Sequence, residues 1–107
     1  MSIPRLHPEQ ALAALATLPG WQLRADALAI EREFCFADFT QAFGFMAQMA
    51  LVSQAMNHHP EWSNAWNRVR VTMSTHDSGG LTQRDLDWAR TANQAFGRHA
   101  EVPDLRR

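Results

Sequence analysis

Hydrophobic and polar positions divide the chain into seven short elements. Residues 8–17 are rich in Ala and Leu, and Leu12 and Leu15 share one helical face. Pro8 suits a first helical position, Glu9 suits a first turn, and Pro19-Gly20 ends the segment. Residues 21–24 and 28–36 read as two strands joined by a turn at Ala25-Asp26-Ala27. In the second strand Leu28, Ile30, Phe34 and Phe36 alternate onto one face, interrupted by Arg32, with Glu31 and Glu33 on the other. Asp38 is a good N-cap for a long helix over Phe39–Met56. Residues 62–66 form a short strand, Asn67-Arg68 a hairpin turn, and Val69, Val71, Met73 and Thr75 then alternate with Arg70, Thr72, Ser74 and His76. That pattern puts His76 at the end of a half-buried strand, on its polar face. Ser78-Gly79-Gly80 is a flexible turn. Thr82 caps a last helix with Asp85 at the capping-box position and Leu86, Ala89 and Phe96 on its core side. Residues 102–107 read as a frayed tail.

The order α-β-β-α-β-β-α predicts an α+β fold: a four-stranded antiparallel sheet with three helices packed on one face, in a single domain spanning residues 1–107. The long helix departs from an ordinary amphipathic pattern. Phe39, Phe43, Met46 and Ala50 make one apolar stripe, and Phe45, Met49, Val52 and Met56 make a second beside it, relieved by Gln41, Gln48 and Ser53. A chain of 107 residues has little to cover such a helix on all sides. The expectation is a homo-oligomer, dimer or tetramer, built through the 39–56 helix, with Phe45 or Met49 as candidate partner contacts.

Composition narrows the function classes mainly by exclusion. A formal net charge of -1 supplies no basic field for nucleic acid. The single cysteine, Cys35, excludes an internal disulfide and a multi-cysteine zinc site. No apolar run approaches a membrane span, and residues 1–8 lack the apolar core of a signal peptide, so a cytoplasmic protein is expected.

The chemistry concentrates in Met56-Asn57-His58-His59-Pro60-Glu61-Trp62 and in His76-Asp77, which together hold three of the five histidines. Histidine exchanges protons near neutral pH. Pro60 stiffens the backbone and pushes His59 toward an extended conformation, so the neighbouring imidazoles point to opposite sides. Three readings follow: surface or capping histidines, a metal site completed by His76 and Asp77, or general acid–base catalysis without metal. The spacing matches no known zinc pattern.

A longer pattern adds to these readings. His58-His59-Pro60-Glu61-Trp62, Asn64, Trp66-Asn67, Val69, Ser74-Thr75-His76-Asp77, Gly80-Leu81-Thr82 and Arg84-Asp85, with Gly20-Trp21 and Phe43-Gly44-Phe45-Met46, resemble the pterin-4a-carbinolamine dehydratases. The resemblance runs from about residue 8 to 97. It implies dehydration of a 4a-hydroxytetrahydropterin to the quinonoid dihydropterin, with no metal or organic cofactor, the pterin being the substrate. It also implies a link to an aromatic amino-acid hydroxylase. Its catalytic histidines match His58, His59 and His76, and its aspartate near the last helix matches Asp85, which can cap that helix as well. Trp21 matches an aromatic at the pocket edge and would serve equally as a core tryptophan. Where the family commonly has a charged side chain four residues before the first histidine, this chain has Gln54, expected to share a helical face with His58. Asn57 replaces a residue that is often acidic, so negative charge is lost near the site, and Trp66 stands where Tyr is common. Some relatives are dimerisation cofactors of a transcription activator, which leaves a protein-binding module as the alternative function.

Overall fold

The structure, a computed structural model, describes residues 3–99. Its elements are α1 (Pro8–Leu15), β1 (Gln22–Leu23), β2 (Ile30–Cys35), α2 (Phe39–Met56), β3 (Glu61–Ala65), β4 (Arg68–Met73) and α3 (Gln83–Phe96), with a 3-10 turn at His76–Ser78. The strands form one antiparallel sheet in the order β1-β2-β4-β3. The expected α+β order is the one found. The tail expected at residues 102–107 lies outside the described residues.

Strand alternation sets the layers. Ile30 and Phe34 of β2 and Val69, Val71 and Met73 of β4 point to the helices and are fully buried. Glu31, Glu33, Arg70 and Thr72 fall on the opposite, open face. Under the helices Phe34, Phe36, Phe45 and Phe96 form a ring cluster with centroids 4.8 to 5.2 Å apart. Such pairs add about 0.5–1.5 kcal/mol each beyond the area they bury.

Arg32, which breaks the apolar face of β2, lies over the Phe34 and Phe96 rings at 4.3 and 4.9 Å. Its guanidinium donates to the Pro19 carbonyl (2.6 Å) and to Asn93 Oδ1 (2.7 Å). The cation thus sits at the edge of the core over two rings. Gly20 makes room for it: a Cβ there would lie 2.6 Å from the guanidinium, and its φ of +84° favours glycine independently.

Several local expectations shift. Ala11, not Leu12, is the buried residue of α1, and Leu12 and Leu28 are exposed. Leu28 lies outside β2 because Asp26 ends the turn before it: its carboxylate holds Arg24 and accepts from the Leu28 N–H. The Arg24 guanidinium, then the Leu28 N–H, keep the Asp26 carboxyl below its ordinary range. On α2 the buried stripe is Ala42, Phe45, Met49 and Ser53. Phe45 and Met49 therefore serve the chain's own core and face no partner. Ser53, expected as polar relief, is buried; its hydroxyl donates to the Met49 carbonyl and accepts from Trp88 Nε1. The outward apolar residues are Phe39, Phe43 and Leu51, the last 75% exposed.

The β3–β4 turn lies one residue earlier than expected, at Trp66-Asn67, and β3 runs Glu61–Ala65. Trp66 has φ +51° and is 65% exposed. The Asn64 amide braces the turn by donating to the Trp66 and Arg68 carbonyls (3.1 and 2.8 Å). A left-handed φ is costly for a residue with a Cβ. Trp66→Gly should therefore stabilise the fold by up to about 1 kcal/mol in urea denaturation. A lower midpoint would show that the indole's own contacts outweigh the backbone strain.

Candidate active site

The site is built where three chain segments meet. The first is the exit from α2. Asn57 takes the left-handed conformation (φ 51°, ψ 45°) that ends the helix. The His58 N–H then returns to the Ser53 carbonyl (3.0 Å) and the Asn57 N–H to the Gln54 carbonyl (3.2 Å). This is the Schellman arrangement, with Asn in the place glycine usually takes. The turn sends His58 inward, 7% exposed, and leaves His59 exposed. One imidazole of the His-His-Pro segment is thus buried and its neighbour exposed, and both border the same cavity.

The second segment is the first turn of α3. Thr82 is the N-cap, accepting from the Arg84 N–H (3.2 Å), and Asp85 closes the capping box by accepting from the Thr82 N–H (3.0 Å). Asp85 does more than cap. Fully buried, it also accepts from the Thr75 hydroxyl (2.8 Å) and lies 2.6 Å from His58 Nε2. The Thr75 proton is committed to Asp85, so the Thr82 hydroxyl donates to Thr75 across 2.8 Å. An ionised Asp85 accepts at both oxygens, so the Oδ1 contact is one that a proton on Nε2 of His58 satisfies.

The third segment is the turn after β4. His76 is not the last residue of a strand; it opens the 3-10 turn and is highly exposed. Its Nε2 lies 3.5 Å from Glu61 Oε1 at the start of β3. His58, His59, His76, Asp77, Ser74, Thr75, Asn57 and Arg84 line one open cavity of about 210 Å³. Among the described residues no group of three His, Cys, Asp or Glu side chains could hold a metal ion.

The comparisons with known proteins point the same way. A family profile described as Pterin 4 alpha carbinolamine dehydratase matches residues 4–95. The chain belongs to this family. A Novosphingobium aromaticivorans protein provisionally named pterin-4-alpha-carbinolamine dehydratase is 54% identical over 90 residues, covering 84% of this chain and 94% of that one. A similarly named Burkholderia orbicola protein is 48% identical over 99 residues, covering 92% and 96%. A Brucella melitensis crystal structure described as a transcriptional coactivator/pterin dehydratase superposes with a TM-score of 0.85 at 48% identity, covering 87% of this chain and 99% of that one.

Set against what family resemblance implied, the site residues divide. His58, His59 and His76 meet at one cavity, and Asp85 supports His58 while capping α3. Trp21 is a core tryptophan outside that cavity's lining: it packs edge-on against Phe34 and Trp88 and donates to Asn93 Oδ1 (2.9 Å). Pro60 is half-buried and also outside the lining. Gln54 does not meet His58. The helix ends before the four-residue spacing is complete, and Gln54 Oε1 lies 3.3 Å from His59 Nε2. Positions 54 and 57 carry no charge, and the carboxylates at the site are Asp85 beside His58 and Glu61 beside His76. Sequence reasoning passed over Glu61, Thr75 and Arg84 as site residues. Asn57 was read only as a lost charge, although Asn at a helix end is itself a signal for a left-handed cap.

Gln54→Glu places a carboxylate at His59. An NMR titration of the ring signals should move the His59 midpoint to higher pH, by less than about one unit because both groups are exposed, and leave His58 unmoved. A shift at His58 alone would contradict this geometry.

Proposed function

We propose that the protein dehydrates 4a-hydroxytetrahydropterins, recycling the tetrahydropterin cofactor of an aromatic amino-acid hydroxylase. Membership of the dehydratase family supports the reaction class. The observation that carries the reading is the convergence of His58, His59 and His76 on one cavity, each with a different side-chain partner. In the reaction the C4a–O bond breaks. The hydroxyl takes a proton and leaves as water, while a ring nitrogen gives up its proton and its electrons form the new double bond to C4a. The net change is loss of water from substrate, so each proton borrowed from an imidazole is returned. Two imidazoles on either side of a flat bicyclic ring suffice, with no metal or organic cofactor. A cytoplasmic location, shared with the hydroxylase, belongs to the same reading.

The outward face of α2 supports a second element. That face carries the exposed side chains of Phe39, Phe43 and Leu51, on a helix whose buried stripe already serves the core. We read it as the contact between copies of this chain, in a dimer or tetramer. A partner protein, in the manner implied by the words transcriptional coactivator for the Brucella relative, is the competing occupant.

Stopped-flow mixing with chemically made 4a-hydroxytetrahydropterin should show acceleration that a chelator leaves unchanged. His59→Ala and His76→Ala should each lower the rate about 10²–10⁴-fold with little change in folding. Near-parent rates in both variants would make them surface histidines, and activity restored only by zinc would overturn the metal-free reading.

Sedimentation at micromolar concentration should show an oligomer. Phe43→Glu or Leu51→Glu should dissociate it into folded chains, whereas Met49→Glu should unfold the chain. A parent protein that sediments as a monomer would refute the assembly.

A further inference from the structure

We infer that Arg84 is a positioning residue for the His58-His59 pair, clamping the end of α2 so that both imidazoles keep their orientation. The inference rests on the dehydratase reading for its kinetic arm. Arg84 Nη2 donates to the Met56 carbonyl and, at 2.7 Å, to the Asn57 carbonyl. These are the last residue of α2 and its left-handed cap. A helix end leaves carbonyls without partners in the helix. Here Ser53 and Gln54 receive the His58 and Asn57 N–H groups, and Met56 and Asn57 receive Arg84.

The placement of the cation singles it out. Arg84 is the second residue of α3, at a helix N-terminus, where the macrodipole disfavours positive charge. The first-turn acid that the dipole does favour is its neighbour, Asp85. Arg84 is misplaced for its own helix and well placed for α2, whose C-terminal end attracts a cation. Its half-buried guanidinium reaches across to that end and lines the histidine cavity.

Adjacent residues of α3 therefore hold the same short segment in two ways. Asp85 takes the His58 imidazole and Arg84 takes the peptide carbonyls immediately before it. The Met56–Asn57 and Asn57–His58 peptides set the direction in which the chain leaves α2. In extended backbone, adjacent side chains follow the peptide planes to opposite sides. A rotation of those planes would swing the His58 and His59 rings together, while His76, carried on another segment, would stay in place. With Arg84 removed, Asp85 can still bond an imidazole, but the loop is free to present His59 at a range of angles.

The test compares Arg84→Gln and Arg84→Lys in the full chain, with Arg90→Gln as a control on the exposed side of α3. Lysine keeps the charge, but its ammonium stands on a shorter stem and falls short of the point from which Nη2 of Arg84 reaches both carbonyls. Expected is a fall in kcat of about 10-fold or more for Arg84→Gln, a smaller fall for Arg84→Lys, KM within about two-fold and no change for Arg90→Gln. NMR ring signals of His58 and His59 should shift or broaden in Arg84→Gln, with those of His76 unmoved. If Arg84→Gln does not fold, Arg84→Lys decides by the same measurements. Parent-like kcat and unmoved ring signals, with only a lower denaturation midpoint, would reduce Arg84 to a helix cap. A raised KM at unchanged kcat would make it a substrate contact instead. If the parent itself shows no dehydration, the functional reading fails, while the ring signals still test the clamp.

Discussion

A buried carboxylate must have its oxygens satisfied, and Asp85 meets that demand from three directions. Its own helix supplies the Thr82 N–H, the segment after β4 supplies the Thr75 hydroxyl, and the exit from α2 supplies the His58 imidazole. These partners are 3, 10 and 27 residues away in sequence. Removing one partner of such a group costs several kcal/mol, because the charge left behind stays buried. The need to saturate one side chain thus pins α2, the 3-10 turn and α3 to one another at the cavity. Stability and site geometry share this group.

The long helix illustrates how one element serves two surfaces. Ala42, Phe45, Met49 and Ser53 are enough to join α2 to the sheet and to Trp88 of α3. Phe39, Phe43 and Leu51 add nothing to that core. Exposed apolar side chains gathered on one side of a helix are the usual mark of an interaction surface. The cavity lies at the C-terminal end of the same helix, so one element carries both the outward apolar side chains and the exit that bears the histidines.

Element order and sheet class were legible because two periodicities, near two and near 3.6 residues, separate strands from helices in a short chain. The β3–β4 turn slipped by one residue for a physical reason. Turn chemistry favours Asn over Trp at a left-handed φ, yet strand register and the Asn64 brace put Trp66 there. The site was legible in part. That His58 and His59 differ in setting was expected from Pro60 and extended geometry. Which of them turns inward depends on Asn57 and on a carboxylate 27 residues away, and neither is visible to local pattern. The Gln54 partner was misassigned for the same reason: the four-residue rule holds only inside a helix, and the helix had already ended.

The distribution of the indoles gives the protein two optical populations. Trp21 and Trp62 each stand 6.3 Å from Trp88, so three chromophores touch in a row through the core. Trp66 stands apart at the hairpin tip, in water. Coupled transitions in the row should dominate the near-ultraviolet circular dichroism, while Trp66 supplies a red-shifted emission that quenchers in solution reach easily. Changes at the β3–β4 tip and loss of the packed interior would then appear in separate spectral bands, with no label attached.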